Sequence, residues 1–495
     1  MPADSYGGSP ALRDPALHVL GLLPAEVEYA DVRVVNRTHE LVLVELAGPG
    51  DVVYEESVGL GVRVLVDGQW GFAATHRLDS RGLSEAVRQA VGQARAAGSG
   101  PPVRLGEPVT TRTRWASPMI QDPFRAPLSD KLDLLSSVVD EARTAGPQVQ
   151  RIEASMDFFR DEKVFANTEG ALIEQSVTES GAGLVVYASN GDDVQRRSYP
   201  QAVPRNIRGQ RGDFATAGYE HIPTLRLPDE AARVASEAVA LLTAPECPDE
   251  TTTLVVSGSQ LALLLHECAG HPMEADRALG TEASLAGGTY ASPERLGSFQ
   301  FGAPIVSVYA DATIPGALGS YGYDDEGVPA QRTQLVRDGV FVGYLSGRES
   351  AAALGEQSSG AARADGWQRV PLVRMTNLCL EPGDSSLAEM VAGTKRGVLV
   401  DMTKSVSIDD QRLSFRLGAE AGWEIRDGKL GRLLKNCSYS GVTPRFWARC
   451  DALGGPDEFR VHGIPSCNKG EPLQVAHIGH GTVPARFREV QVGIR

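Results

Sequence analysis

One predicted helix constrains the fold of this chain more than any other stretch. Residues 251–256 read as a strand, and Ser257 and Gln260 then have the S-x-x-Q spacing of a capping box, which satisfies free backbone amides where a helix begins. The apolar side chains of this helix share one side, on which it packs: Leu261, Leu264, Leu265 and Cys268. His266 and Glu267 point away from that side. The sequence therefore predicts a strand that leads into a buried helix with a separate polar face.

Two histidines, His266 and His271, enclose Glu267 in an H-E-x-x-x-H pattern. Zinc peptidases with the related H-E-x-x-H pattern place two imidazoles four residues apart on one helix face, where both bind one metal ion. Here the spacing is five residues, which separates the two side chains by roughly 140° in an unbroken α-helix. Gly270 and Pro272 make a change of winding easy. We therefore predict a break or bulge at residues 269–272, with His271 at the distortion.

A catalytic zinc site usually has three protein ligands and an open position for water, so a third ligand is needed. Residue type leaves nine candidates: Glu274, Cys268, Cys379, Cys437, Cys450, Cys467, His462, His477 and His480. Cys268 is disfavoured because it faces the packing side of the helix, whereas Glu274 follows His271 by one turn. Cys467 lies in the turn-rich segment 463–470, where Lys469 would favour a thiolate. Glu274 could instead accept a hydrogen bond from a ligand histidine or lie at the surface.

Burial of two imidazoles and a carboxylate among apolar residues is unfavourable without partners, so the pattern favours a metal site over a purely structural helix. In such a site Glu267 would take a proton from water and pass it to a leaving amine.

Other polar groups give weaker predictions of function. The acidic residues 324–326 are expected in a solvated turn, and His462, His477 and His480 are expected to be ordinary strand or loop histidines. Residues 374–377 either contact substrate or end a strand.

The predicted elements indicate an α+β fold of two domains. Residues 1–245 are expected to form an N-terminal α/β domain of hairpins and helices. Its predicted strands are 27–36, 40–46, 61–66, 70–74, 152–158, 163–167, 171–177 and 181–189, and its predicted helices are 83–97, 128–145 and 229–243. Two prolines and a cluster of acidic residues at 244–250 mark the boundary. Residues 246–495 are expected to form a β-rich antiparallel catalytic domain that carries the H-E-x-x-x-H helix.

Composition narrows the class of protein. The chain has 495 residues, 42% of them hydrophobic, which is ordinary for a globular protein. A formal charge of -15 argues against a nucleic-acid partner. We find no secretory signal and no apolar run near the roughly 20 residues that span a bilayer, so we expect a cytoplasmic protein without membrane contact. Six cysteines without a C-x-x-C pair indicate free thiols in a reducing compartment.

Further motifs make the chain resemble the TldD/PmbA peptidases, and specifically their metal-bearing, TldD-like subunit. These motifs are 266–271 with Glu274, 324–331, 335–344, 374–377, 422–429 and 466–470, in the order in which the family has them. The resemblance implies that His266, His271 and Cys467 hold Zn²⁺ and that Glu267 is catalytic. The chain departs from the family pattern at Pro272 and Asn468, where glycine is common.

The resemblance also implies a substrate and a partner. The substrate would be an unfolded or extended peptide, including modified peptides that are trimmed during maturation. The active form would be a dimer that encloses the site, formed with a PmbA/TldE-like subunit or with a second copy of this chain. Three alternatives remain at this point: the same metal site acting on a small peptide-like metabolite, a non-catalytic scaffold with a structural zinc, and a thiol hydrolase that uses Cys268 or Cys467.

Overall fold

The computed structural model describes residues 10–98, 100–201, 212–282, 284 and 287–493. Its α-helices are α1 (Pro10–Gly21), α2 (Ser80–Ala96), α3 (Leu128–Arg143), α4 (His221–Thr224), α5 (Leu227–Leu241), α6 (Gly258–Leu265), α7 (Ala275–Ala278), α8 (Arg348–Leu354), α9 (Leu387–Ala392) and α10 (Thr443–Trp447). The strands of the N-terminal half are β1 (Tyr29–Glu45), β2 (Gly48–Val66), β3 (Gln69–Thr75), β4 (Arg112–Ala116), β5 (Val149–Asn167), β6 (Leu172–Ser189), β7 (Val194–Tyr199) and β8 (Asp213–Ala215).

The strands of the C-terminal half alternate with few helices. They are β9 (Glu250–Val256), β10 (Val308–Asp311), β11 (Arg332–Arg337), β12 (Val340–Phe341), β13 (Ala362–Arg363), β14 (Leu372–Val373), β15 (Asn377–Leu380), β16 (Arg396–Ile408), β17 (Ser414–Arg426), β18 (Lys429–Leu434), β19 (Ser438–Val442), β20 (Cys450–Leu453), β21 (Arg460–Lys469), β22 (Gln474–Thr482) and β23 (Ala485–Val492). The chain therefore has the α+β fold that the sequence predicted.

The N-terminal strands form one eight-stranded sheet around the long antiparallel strands β1, β5 and β6. The strand order is β3-β2-β1-β5-β6-β4, and β7 and β8 also pair with β6. The sequence predicted shorter strands: residues 27–36 and 40–46 both fall mainly in β1, and the pieces predicted between 152 and 189 merge into β5 and β6. Polar residues do not end these strands because they pair across the sheet. Arg37 lies opposite Asp161 and donates to it at 2.7 Å.

The two faces of this sheet have different partners, because side chains alternate along a strand. Even-numbered apolar residues of β1, β5 and β6 pack against α1 and α2 at one end and against α3 and α5 at the other. Odd-numbered charged residues meet the C-terminal half. Lys163 pairs with Asp325 at 2.6 Å and Arg63 with Glu326 at 3.0 Å. Helices therefore cover one face of the sheet, and ion pairs attach the other face to the C-terminal half.

Strands of the C-terminal half build two larger sheets. One is a six-stranded sheet in the order β12-β11-β10-β15-β22-β21, with β21 at its edge. In the other, β16 pairs with both β9 and β17, which closes β9, β16, β17, β19 and β23 into a ring. Helix α6 leaves this ring directly after β9 and contacts β22. It is thereby held between the two sheets.

The division of the chain at residue 245 stays a prediction. Residues 244–249 lie between α5 and β9. Within the described residues, no helix combines the length and apolar character that a membrane crossing requires.

Strands β8 and β21 pack closely where the N-terminal and C-terminal halves meet. A substitution at this contact tests how much it contributes to stability. A Cβ atom on Gly463 would lie 1.8 Å from the carbonyl oxygen of Phe214. We expect Gly463→Ala to lower the free energy of unfolding by about 1–3 kcal/mol, because this backbone must move. Gly92→Ala is the matched control: it lies in α2 with open space around it and should be neutral or stabilising by up to about 1 kcal/mol. Urea unfolding measures both, and equal stability of the two variants would contradict the tight contact.

Candidate metal centre

The helix that carries the two histidines changes its winding where they lie. The Ser257 hydroxyl accepts from the Gln260 amide at 3.3 Å, as predicted for the cap. The reciprocal half of the capping box is absent, because the Gln260 side chain bonds to Tyr439 and Thr403 instead. After α6, residues His266–Gly270 form a π-helix and His271–Met273 a 3-10 turn. The distortion therefore exists, but it begins at His266, earlier than the sequence suggested.

π winding brings position i+5 back toward the face of position i. The imidazole rings of His266 and His271 consequently lie with centroids 4.6 Å apart. Gly270 permits the close packing of this turn, since a Cβ atom there would lie 2.0 Å from the Met375 sulfur. The five-residue spacing is therefore compatible with one shared ligand.

Cys467 completes a compact group of three side chains. Its Sγ lies 3.7 Å from Nε2 of His266 and 3.6 Å from Nε2 of His271, and all three residues are buried. The ligand atoms lie within 4.8 Å of one another, so the group could hold a metal ion. Burial raises the pKa of the Cys467 thiol, but His271 and Arg374 outweigh this effect and lower it overall. Cys467 lies in β21 next to a register shift, and not in a turn as predicted.

Glu267 lies beside this group and forms an ion pair that the sequence did not reveal. The Nη1 atom of Arg412 donates to Oε2 of Glu267. Arg412 has a left-handed backbone, φ 55°, in the turn between β16 and β17. Burial raises the pKa of Glu267, but His266, His271 and Arg412 outweigh this effect and lower the pKa overall. The Glu267 side chain is therefore an ionised, partly accessible carboxylate.

Each histidine of the group has a second hydrogen-bond partner. Nδ1 of His266 lies 2.9 Å from Nε2 of His480, and Nδ1 of His271 lies 3.0 Å from Oε2 of Glu274. His480, in β22, is fully buried, and burial followed by the charge of His266 lowers its pKa well below the usual value. These contacts leave Nε2 of both ligand-type histidines directed toward Cys467. His480 is thus a strand histidine, as expected, but its side chain also contacts a ligand-type histidine.

Glu274 is fully buried and is the centre of a charged network, so the surface position considered for it is excluded. It accepts from Nε of Arg277 at 3.0 Å and lies 3.1 Å from Nζ of Lys469. Lys469 also donates to both oxygens of Asp276, at 2.7 and 2.9 Å. Burial raises the pKa of Glu274, but Lys469 and His271 outweigh it and hold the pKa well below its usual value. Lys469 thus binds this network through Asp276, Glu274 and the Val373 carbonyl oxygen.

The remaining third-ligand candidates lie elsewhere. Cys268 faces the core as predicted, and burial raises the pKa of its thiol to about 12. His477 contacts Glu179 of the N-terminal sheet, and His462 lies opposite His480 in the β21–β22 hairpin. The other three cysteines are buried outside the group: Cys379, Cys437 and Cys450.

The motifs at 324–326 and 374–377 both form contacts that hold parts of the fold together. Asp324, Asp325 and Glu326 are buried at 2–3% exposure, so the predicted solvated turn is wrong. Two of them form the ion pairs to the N-terminal sheet, and Asp324 accepts three backbone N–H groups. In the 374–377 motif, Arg374 donates to the Cys467 carbonyl at 2.6 Å. That motif therefore supports the strand that carries Cys467.

Two histidines on one helix, a third ligand-type side chain and an adjacent carboxylate form a site of the metallopeptidase type. Family comparison agrees with this class. The model described as PmbA/TldA metallopeptidase C-terminal domain matches residues 249–492, that for domain 1 matches 30–95, and that for the central domain matches 121–243. The chain therefore belongs to the PmbA/TldD family.

Relatives with similar sequences carry metalloprotease names. The chain is 31% identical over 468 residues to a metalloprotease of Methanothermobacter thermautotrophicus, which covers 94% of this chain and 96% of the relative. It is 30% identical to a metalloprotease of Synechocystis, with 88% and 89% covered. A protein of Saccharolobus solfataricus named zinc metalloprotease TldD homolog is 21% identical, with 78% and 80% covered.

Solved structures share the fold. A putative modulator of DNA gyrase from Thermotoga maritima superposes with a TM-score of 0.73 at 17% identity, covering 94% of this chain and 96% of that one. TldE from Thermococcus kodakarensis superposes with a TM-score of 0.67 at 17% identity, covering 97% and 99%. At these identities the likeness concerns the fold alone.

The buried network around Lys469 predicts a large loss of stability when its cation is removed. Lys469→Met leaves Glu274 and Asp276 with less compensating charge, and we expect a loss of about 3–5 kcal/mol in the free energy of unfolding. Lys429→Met is the control, because Lys429 is exposed in β18, and should change stability by less than about 0.5 kcal/mol. Unfolding in denaturant measures the free energy of unfolding of both variants. A Lys469→Met protein as stable as the control would show that the network contributes little.

Proposed function

We propose that this protein is a zinc-dependent peptidase that hydrolyses peptide bonds in unfolded or extended peptides, for their degradation or for the maturation of modified peptides. The observation that carries the proposal is the position of Glu267 beside the group formed by His266, His271 and Cys467. The names of the metalloprotease relatives support the same class of activity. A zinc ion in this group would supply a Lewis acid that polarises a carbonyl group and makes water more acidic.

The distances within the group suit zinc. Bond lengths of about 2.05 Å to nitrogen and 2.3 Å to sulfur, at tetrahedral angles, separate sulfur from nitrogen by about 3.6 Å. The measured separations are 3.7 and 3.6 Å. Within the described part of the chain the group contains three ligand-type side chains. This number supports a catalytic site with an open position over the structural-zinc alternative, which requires four.

Two residues of this chain would have separate roles in the reaction. Glu267 would accept a proton from water and deliver it to the leaving amine. Arg412 would hold the carboxylate in place through the ion pair observed here. The high pKa of the Cys268 thiol, buried against Thr443, disfavours the thiol-hydrolase alternative for that residue.

An extended substrate is supported by the position of Cys467. Among the described strands, β21 is the terminal strand of its sheet, and β8 packs against it at Gly463. An extended peptide that pairs with the rest of such an edge is bound through its backbone, with little selectivity for side chains. The same binding mode would also accept a short peptide-like metabolite, so that alternative is kept as an outcome of substrate tests.

We further propose that the active form is a dimer with a TldE-like subunit or with a second copy of this chain. Support comes from the fold, which is shared with TldE of Thermococcus kodakarensis. Peptide turnover is therefore measured for the chain alone and for the chain mixed with the TldE-like protein of the same organism.

Substitution of Glu267 separates catalysis from metal binding. We expect Glu267→Gln to keep near one zinc per chain while peptide turnover falls by at least about 100-fold, because the proton acceptor is lost. Cys467→Ala is the contrasting variant and should lose zinc. Elemental analysis and mass spectrometry of cleaved unfolded peptides give the two readouts. Retained turnover in Glu267→Gln, or full zinc in Cys467→Ala, would refute the assigned roles.

Substitution of His480 tests how His266 is oriented. If His266 binds zinc through Nε2, its Nδ1 carries a proton and donates to His480. We expect His480→Leu to weaken zinc binding by about 10–100-fold, as is typical when the partner of a ligand histidine is removed. His480→Gln keeps an acceptor oxygen and should bind closer to wild type. Competition with a chelator measures the affinity for zinc. Thermal unfolding of the metal-free proteins shows whether a substitution has destabilised the fold. Equal affinity of the leucine and glutamine variants would contradict this orientation.

A further inference from the structure

A pair of cysteines lies outside the candidate metal centre, where the chain passes from α5 to β9. Cys247 precedes β9 and Cys437 precedes β19, and both line one surface pocket of about 520 Å³. The two thiols are close enough for each to shift the pKa of the other. Pockets of this size hold small molecules.

The backbones around the two thiols are paired. Glu246 and Lys435 form a parallel bridge, and the amide of Cys247 donates to the Lys435 carbonyl at 3.0 Å. This register puts Cys437 one residue beyond the position opposite Cys247. A strand spacing of about 4.8 Å and a rise of about 3.3 Å per residue then separate the two Cα atoms by roughly 6 Å, within the roughly 4.4–6.8 Å that a disulfide spans. Both cysteines are free thiols in this structure.

We infer that Cys247 and Cys437 form a dithiol site that reacts reversibly with small-molecule disulfides. This site is independent of the proposed peptidase activity and shares no residue with it. The pocket rim carries Lys404 and Arg416 together with Glu246, a net positive set that suits an anionic thiol compound such as oxidised glutathione.

The two thiols differ in exposure, 9% for Cys247 and 1% for Cys437. The neighbouring Cys437 thiol and the Ser438 backbone amide lower the pKa of Cys247 against the effect of burial. The Cys247 thiol and burial raise the pKa of Cys437. Because Cys247 is the more accessible thiol, it is the attacking residue and Cys437 is the resolving one.

The exchange occurs in two balanced steps. The Cys247 thiolate attacks one sulfur of the small disulfide, forms a mixed disulfide and releases one thiolate. Cys437 then loses its proton to solvent and its sulfur attacks Cys247, which forms the Cys247–Cys437 disulfide and releases the second small thiol. The two cysteines are oxidised and the small disulfide is reduced to two thiols. The product ties the segment before β9 to the start of β19.

The zinc-loaded full chain can be incubated with oxidised glutathione as the probe. The intact mass is measured first, and the protein is then alkylated and mapped by peptide analysis. Wild type should lose about 2 Da and yield a linked Cys247–Cys437 peptide. Cys437→Ser should stop at the mixed disulfide, gaining about 305 Da on Cys247. Cys247→Ser should show neither product. Cys450→Ser, a buried cysteine outside the pocket, is the matched control and should behave as wild type.

Three outcomes would overturn the inference. The first is a native wild-type chain that keeps both thiols while the denatured chain reacts. The second is a disulfide that maps to other cysteines. The third is Cys247→Ser taking up glutathione on Cys437 as fast as Cys437→Ser takes it up on Cys247. Thermal unfolding of each variant confirms that a lost reaction does not reflect a lost fold.

Discussion

The buried carboxylate of Glu274 joins the parts of the candidate site. It contacts His271 on the distorted helix, Arg277 in the following turn and Lys469 on β21, two residues after Cys467. A buried charge is unfavourable unless it is paired and hydrogen-bonded, so this carboxylate requires all three elements to be in place. Helix and strand are far apart in the chain, and their relative position is fixed here by electrostatics as well as by packing.

The local part of the site could be predicted from the sequence, whereas its contacts across the chain could not. Spacing and helix physics gave the polar face, the need for a change in winding and the candidate base Glu267. They left nine candidates for the third ligand, and only the family resemblance selected Cys467. Arg412 and His480 were missed because they are 145 and 214 residues from their partners Glu267 and His266. No local pattern marks such pairs.

The errors in the fold have a related cause. The predicted strands stopped at residues 36 and 158, before Arg37 and Asp161, but these two residues pair with each other in a continuous sheet. The acidic run at 324–326 suggested a solvated turn, but its partners Lys163 and Arg63 lie on the face of that same sheet. Sequence reasoning counts a charge as solvated when its counter-charge is distant in the chain. In this protein such charges carry the contact between the two halves.

The change of winding at His266 links this architecture to the geometry of the site. In an unbroken α-helix the two histidines would diverge, and in a fully irregular segment nothing would hold either of them. One π turn followed by a 3-10 turn brings the two histidines onto one face and still holds them in place. Backbone hydrogen bonds continue through the distortion, since the His271 amide donates to the His266 carbonyl. Gly270 makes room for Met375 in that turn, and Met375 follows Arg374, which binds the backbone of Cys467. The five-residue spacing, the glycine and the 374–377 motif are therefore parts of one packing solution, in which each requires the others.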